Sequence, residues 1–541
     1  MKLYNKISYF VLGGAAMLSA CNDIDEMEPQ GGIYTQTEVK ETNDAIPSRA
    51  DATFNGMFSM MGCPGATYGS NRADDFGYIS AAISQDMEAA DLVGQNSGYN
   101  WFSAAAEMTS RTANYANPYM RYKLPYNQIG VANEIIANQE EGSNFWAQAK
   151  AMRAFAYSQL APYFAFGYTI DKAAPCIPLL TDGVDYTNNP RATVEEVYNA
   201  ILTDLNEAIE ALKQNPTERG ADKSKIDLNV ALGLRARTYL SMGEWAKAAA
   251  DAAEVLKSYN PASIDEVSHP AFCSMAESNW IWAIDITDDM LLGDAGGYPT
   301  SASWLSSFSG DGYAAATGCY ACINTLLYNK IPATDVRKGW WVDADLHSPL
   351  LEGLSWGPAQ GQAIATYKYD DKVEFLPYSN VKFGMNAGIG STTNNNDWPL
   401  MRAEEMILIQ VEGLAKSGNE GEARRLLTQF VQDNRDPQYN VDGRSLSLAD
   451  EIWFQRRVEL WGEGFATYDL KRLGKPMVRF HAGKDNNWPD AFKFNMEAND
   501  GWLNMRFAQR ETDNNKAIVD NKDGNLPVPG QNGQLRDGVT D

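Results

Sequence analysis

Apolar positions along this chain recur mostly at helical spacing, in blocks separated by polar, Gly- and Asn-rich stretches. "NPYMRYKLPYNQIGVANEIIANQ" and "NFWAQAKAMRAFAYSQLAPYFAFG" read as a long antiparallel helical pair, broken at Glu141-Gly142-Ser143. "TVEEVYNAILTDLNEAIEAL" predicts a third helix, with Thr193 as its N-cap and Glu196 three residues on to complete a capping box. One short run, "NWIWAIDI", reads as a strand; Trp280 and Trp282 alternate within it and are assigned to the core. From about Pro261 to Pro399, and again from about Lys475 to the end, the texture turns irregular and rich in Gly, Asn, Ser and aromatics. Long irregular segments in a compact protein either carry function or are disordered, and the density of Trp and Tyr argues against disorder.

The block "LNVALGLRARTYLSMGEWAKAAADAAEVL" adds a second kind of pattern. Small residues stand where two helices must approach closely (Ala236, Gly243 at the turn, Ala248), with Leu232, Tyr239 and Trp245 as the bulk between them. These offsets resemble a tetratricopeptide repeat. "MILIQVEGLAKSGNEGEARRLLTQFVQDN" repeats the logic, with Gly418 at the turn and Ala423 five residues later, the spacing of Gly243 and Ala248. The fold class expected is mainly α: a tetratricopeptide-like helical-repeat scaffold with a long irregular, loop-rich ligand-binding region. Repeats are placed at about 116–258 and 400–473, and loop-rich regions at about 63–115, 261–399 and 475–541.

The start of the chain changes the setting. Lys2 and Lys6 precede an apolar run from Tyr9 to Leu18, too short to span a bilayer but suited to the core of a signal peptide. Ser19, Ala20 and Cys21 follow, and "LSAC" resembles a bacterial lipobox, where cleavage precedes a cysteine whose thiol is then acylated. Each buried methylene of an acyl chain adds about 0.8 kcal/mol to membrane attachment, so several chains on Cys21 anchor without spanning. Residues 1–20 are therefore expected to be a lipoprotein signal peptide, 21–48 a lipidated tether and 49–541 the folded domain.

Composition narrows the partners. Lys+Arg 45 against Asp+Glu 70 leaves a net charge of −25, which disfavours nucleic acid and other polyanions. Setting Cys21 aside leaves Cys63, Cys176, Cys273, Cys319 and Cys322, an odd, scattered set unlike a disulfide scaffold. "CYAC" (Cys319 to Cys322) has redox or half-zinc spacing but lacks a second pair, and His269, His347 and His481 are all remote in sequence. A local disulfide and two reduced thiols both fit it. No metal or cofactor is implied.

Several segments together resemble the SusD/RagB family of outer-membrane lipoproteins, in family order across nearly the whole mature chain. They are "ANEIIAN", "AKAMRAFAYSQLAPYFAFG", "PCIPLL", "PRATVEEVYNAILTDLNEAI", the hairpin at "ALGLRARTYLSMGEWAKAAADAAEVL", "ATDVRKGWW", "DWPLMRAEEMILIQVEGLAKSGNEGEA" and "EIWFQRRVELWGEGFATYDLKRLG". "WPLMRAEEM" and the last block are the most specific. The family often has an arginine after "EGF", where this chain has Ala466, which puts one local salt bridge in doubt. The resemblance implies a nutrient-binding lid that works with a TonB-dependent, SusC-like transporter. It also implies that Asp23, Asp25 and Glu26 behind Cys21 direct export to the outward-facing leaflet.

Catalysis is weakly supported by the residues themselves. Glu459 and Glu463 are four apart and share a helix face, but Arg456 and Arg457 stand beside them as charge partners. No G-x-S-x-G or H-E-x-x-H motif is present, and in "DNKDGN" Lys522 falls where an EF-hand loop needs an acid or amide. A sugar site instead needs exposed rings for the C–H faces of the sugar, beside amides and carboxylates for its hydroxyls, on loops held by a rigid scaffold. "DLVGQNSGYNWFS" supplies Asn96, Tyr99, Asn100 and Trp101, and "GDAGGYPTSASWLSSFSGDGY" supplies Tyr298 and Trp304. These six are the candidate ligand-binding residues, with oligo- or polysaccharide as ligand. A peptide-binding protein of the RagB branch keeps the architecture and changes the ligand; a surface glycoside hydrolase is the third reading.

Overall fold

The computed structural model describes residues 47–65, 67–68, 73–94, 100–181, 184–291, 300–309, 321–354 and 376–541, with only the backbone for Pro47, Asn100 and Trp101. Cys21, the leader and the tether lie outside the described residues. The chain divides into two compact units, Met1–Asn55 and Gly56–Asp541. The first described element is the helix Pro47–Ser59 (α1).

The second unit is mainly α. Its principal helices are Tyr78–Glu88 (α2), Asn100–Ala106 (α3), Ala116–Asn138 (α4), Asn144–Phe164 (α5), Val194–Gln214 (α6), Leu228–Met242 (α7) and Trp245–Val255 (α8). After a short five-residue helix, Ser301–Leu305 (α9), come Ala403–Lys416 (α10), Glu420–Asn434 (α11), Leu448–Glu459 (α12) and Ala466–Leu473 (α13). Each of α4 to α8 packs on the next, α8 then packs on α10, and α10 on both α11 and α12. This is the stacking of a tetratricopeptide-like scaffold, in which each hairpin buries a face that it cannot bury alone.

Local chemistry sets the helix ends. Thr193 Oγ1 accepts from the backbone N–H of Glu196 at 3.2 Å, and Glu196 Oε2 accepts from the N–H of Thr193 at 2.8 Å. The two bonds close the expected capping box at the start of α6. Ser143 caps α5 and Asp227 caps α7 in the same sense. Gly243 ends α7 at φ 78°, the left-handed conformation that costs a glycine nothing and lets the chain reverse into α8. Ala236 and Ala248 are fully buried, as a close helix–helix approach requires.

Among the described residues the unit also holds two small antiparallel pairs. Leu92–Val93 (β1) pairs with Cys322–Ile323 (β3), and Trp280–Ile284 (β2) pairs with Trp398–Arg402 (β4) through an irregular register. All of β2 is buried, Trp280 and Trp282 included, so both of its faces are covered. The stretch 63–115, read from sequence as loop-rich, also forms α2 and α3. Nine of the eleven residues of α2 are buried, on every side, so it carries no polar stripe that periodicity could detect. Cys319 lies outside the described residues.

Candidate functional site

The first predicted loop is mounted on a backbone whose carbonyls are almost all taken. As the chain leaves α2, Arg479 donates to the carbonyls of Met87 and Glu88 (each 3.1 Å) and Ala89 (2.9 Å). The same guanidinium reaches Ala106, the last residue of α3, at 2.6 Å and Phe492 at 3.2 Å. Trp488 and Asn324 side chains both donate to Ala90 O at 3.0 Å, and Trp461 donates to Asp91 O at 3.0 Å. Arg457 holds the Asp91 carboxylate with two bonds, at 2.8 and 2.7 Å. β1 then pairs with β3. The segment that carries Asn96 to Trp101 thus departs from one rigid base and returns to it.

Arg479 is fully buried, lies 4.2 Å from the Trp488 ring centroid and 4.4 Å from that of Phe494, and has no carboxylate partner among the described residues. Burial lowers its pKa to about 9, and five carbonyl dipoles at helix ends stand in for a counter-ion.

The second predicted loop meets the first at its foot. Thr300 caps α9 and its hydroxyl donates to Asn394 O at 2.6 Å; Asn380 donates to Leu305 O at 2.8 Å where α9 ends. Trp304 of α9 and Phe102 of α3 pack edge to face with ring centroids 4.3 Å apart. Helices α3 and α9, which follow 95–99 and 292–299 in sequence, therefore meet at this contact.

The six candidates fare differently. Asn96, Tyr99 and Tyr298 lie outside the described residues. Asn100 and Trp101 open α3, with only their backbone described. Trp304 is corrected: it is 2% exposed, with its indole N–H donating to Ala73 O at 3.1 Å and its face turned into the core. Stacking on a sugar needs an open ring face, so Trp304 is a core residue and not a ligand contact. Arg479, Asn324 and Phe102 were not identified from sequence. Only Asn324 left a trace there, as the N-cap of the short helix Thr325–Tyr328.

Glu459 and Glu463 are fully engaged, and not by the neighbours that the sequence offered. Glu459 is bound by Arg435 (2.8 and 2.9 Å), Arg402 (3.3 Å) and Arg337 (3.3 Å), and these cations hold its carboxyl well below the ordinary range. Glu463 pairs with Lys382 at 2.7 Å and with Arg402 at 2.8 Å. Arg456 turns instead to Asp469, and Arg457 to Asp91 and Asp537. All of these side chains are buried. The pair is part of a structural ion network, with neither carboxylate left to act as an acid or a nucleophile.

Comparisons with known proteins agree with this architecture. Residues 73–240 match a family described as starch-binding and associating with the outer membrane, and residues 359–539 match the SusD family. A SusD-like protein of Formosa agariphila is 23% identical over 522 residues, covering 88% of this chain and 93% of that protein. Among solved structures, a SusD-like carbohydrate-binding protein from Bacteroides vulgatus superposes with a TM-score of 0.69 at 22% identity, over 87% of this chain and 97% of that one. Surface glycan-binding protein A from Bacteroides thetaiotaomicron, solved in complex with laminarihexaose, superposes with a TM-score of 0.60 at 17% identity, over 88% and 99%. With two matched regions in order along one helical-repeat scaffold, and a relative aligned over most of both chains, the chain belongs to the SusD family.

Proposed function

We propose that this protein is a cell-surface glycan-binding lipoprotein that captures oligo- or polysaccharide and passes it to a TonB-dependent, SusC-like transporter in the outer membrane. The observation that carries the reading is the Phe102–Trp304 contact. It joins α3 and α9, the helices that follow the two aromatic- and amide-rich segments in sequence, on a base with its backbone carbonyls already satisfied. Asn96, Tyr99, Asn100, Trp101 and Tyr298 are the ligand contacts, rings for the sugar faces and amides for the hydroxyls. A few such contacts, at about 1 kcal/mol each and partly offset by ordering, give micromolar to millimolar affinity. Repetition along a polymer adds avidity. Acylation at Cys21 ties the chain to the membrane, and the acids after it direct it outward. The net charge of −25 favours neutral over sulfated glycans.

Affinity electrophoresis of the mature protein against a panel of neutral and charged polysaccharides tests this. At least one neutral glycan should retard it, and Trp101→Ala should restore free mobility. Retardation by none of them, while peptides bind, sinks the proposal. Detergent extraction from the native membrane should co-purify a transporter barrel with the wild-type chain, and the Cys21→Ser chain should be lost from the membrane fraction.

A further inference from the structure

Segment 531–541 is laid over residues 479–496 and the end of α12. The Asn495 N–H donates to Gln531 O and the Ala482 N–H to Gly533 O, each at 3.0 Å. Asp537 accepts from Arg457 at 2.7 Å, so the same segment braces the guanidinium that holds Asp91 at the loop base. One histidine, His481, lies under this segment and is 1% exposed. Its Nε2 stands 3.1 Å from Thr540 O, and its Nδ1 stands 3.1 Å from Nη1 of Arg536.

These two partners leave the ring one state. A carbonyl oxygen only accepts, so Nε2 carries the proton; a guanidinium only donates, so Nδ1 is bare. The ring is therefore neutral, with both nitrogens in use. A proton added at Nδ1 breaks the Arg536 bond and sets two cations against each other. The other charges around the ring do little to soften this. Lys484, on the ring's own segment, adds a further cation. Asp541 Oδ1 is 3.9 Å from Nε2 but exposed, and Lys330 donates to Asp541 O at 2.6 Å. Asp537 is committed to Arg457 and to the N–H groups of Val539 and Thr540. Burial pushes the His481 pKa below its ordinary 6.5, with Arg536 and Lys484 adding to the fall against Thr540 O and Asp541. Its folded pKa is depressed, so its contribution to stability is complete above 6.5 and is lost as pH falls through the folded value.

We propose that His481 is an acid-sensitive latch. Neutral, it clasps Arg536 and Thr540 and holds segment 531–541 in place; protonated, it repels Arg536 and loosens that segment together with its brace on Arg457. The latch stands on the geometry around His481 and not on what the loops bind, and its test uses no ligand. Hydrogen exchange of the mature chain is followed by mass spectrometry at about pH 8 and about pH 5, on either side of the ordinary imidazole value. Each rate is divided by the intrinsic rate at that pH, and the 228–255 hairpin is the reference. Peptides covering 531–541 should exchange about tenfold faster at the lower pH, the worth of one charge-assisted hydrogen bond, and peptides covering 87–93 should rise with them. His481→Gln keeps a donor for Thr540 O but does not titrate. Arg536→Met removes the facing cation from an exposed position, where the folding risk is small. Each should flatten the response to within about twofold. The Asp86 carboxyl, which titrates at about 7, is present in all three chains and cancels in the comparison. By NMR, the His481 ring should carry its proton on Nε2 at neutral pH and titrate below 6.5, and Arg536→Met should raise that value. The proposal is overturned if 531–541 exchanges within about twofold at the two pH values, or if both variants keep the wild-type response. It is overturned equally if 87–93 stays protected while 531–541 opens, or if the ring is already charged at neutral pH.

Discussion

Arg479→Met isolates the device that holds the first loop. Methionine retains much of the apolar stem between Trp488 and Phe494 but removes five hydrogen bonds to carbonyls, those of Met87, Glu88, Ala89, Ala106 and Phe492. Bonds from a charged donor are each worth about 1.5–3 kcal/mol, so the gross loss is large. Part is recovered, because an unpaired guanidinium no longer has to be buried: Glu88, the nearest acid, is already taken by Arg111 and Arg121 at 2.7 and 2.6 Å. Water can also reach some of the freed carbonyls. A net local loss of about 3 kcal/mol remains, of the order seen when a buried charged contact is broken. That corresponds to about a 100-fold rise in amide exchange through local opening. Exchange should be read by mass spectrometry on peptides spanning 87–106, with the 228–255 hairpin as internal reference. The hairpin should stay protected, and retardation by the cognate glycan should weaken. Arg479→Lys should fall between, since one ammonium cannot bridge the ends of both α2 and α3. If the 87–106 peptides exchange within about threefold of wild type, or the hairpin loosens equally, the anchoring argument is wrong.

Three further outcomes can be measured. Burial pushes the Asp86 carboxyl up to about 7, with Asp91 and Glu463 adding to the rise against hydrogen bonds from Gly464 and Ala466. Its folded pKa is raised, so its favourable contribution is complete below the ordinary value of 3.8 and is lost as pH climbs towards 7, by as much as about 4 kcal/mol. Asp86→Asn should therefore flatten the fall in melting temperature between those limits, and an unchanged slope would refute the assignment. Glu459→Gln leaves three buried arginines short of an anion and should cost about 3–5 kcal/mol by urea unfolding; a cost under about 1 kcal/mol would show the network to be dispensable. Gly413→Ala gains about 1 kcal/mol of helix propensity, yet its Cβ would sit 2.5 Å from Trp245 O and 3.0 Å from the Ala249 side chain. Overpacking of about 1–3 kcal/mol should prevail, so a variant more stable than wild type would show that α8 and α10 can separate freely.

The scaffold was legible because its information is local. The α6 capping box lies within four residues, and the Gly243 and Gly418 turns mark hairpins whose small residues repeat at one offset. Helix α2 was missed because burial on all sides erases the 3.6-residue stripe, and its polar residues are satisfied by distant partners such as Tyr163 and Gly464. Trp304 was misjudged for a related reason. A tryptophan in a Gly- and Ser-rich stretch looks the same in sequence whether it faces a ligand or, as here, Phe102 and Ala73. Arg479 gave no sign at all: its five acceptors are backbone carbonyls, which carry no residue identity.

The same distinction bears on "RRVELWGEG", part of the last of the segments that resemble the family. A helix that merely packs needs an apolar face and tolerates exchange among hydrophobes of similar volume. Helix α12 and the turn that follows it do more, because four charged groups reach different parts of the unit. Arg456 ties it to α13 through Asp469, and Arg457 ties it to the loop base at Asp91 and to the C-terminal segment at Asp537. Glu459 gathers Arg435, Arg402 and Arg337, and Glu463 gathers Lys382 and Arg402. Such pairs add little net stability over an apolar core, but each demands one partner in one orientation. The hub therefore specifies geometry: it fixes where the helical scaffold stands relative to Asp91, and hence where the segment from Asn96 to Trp101 departs. A substitution in α12 can in this way displace the proposed platform without touching a ligand, and Arg457→Leu should weaken glycan retardation even where the helices themselves remain folded.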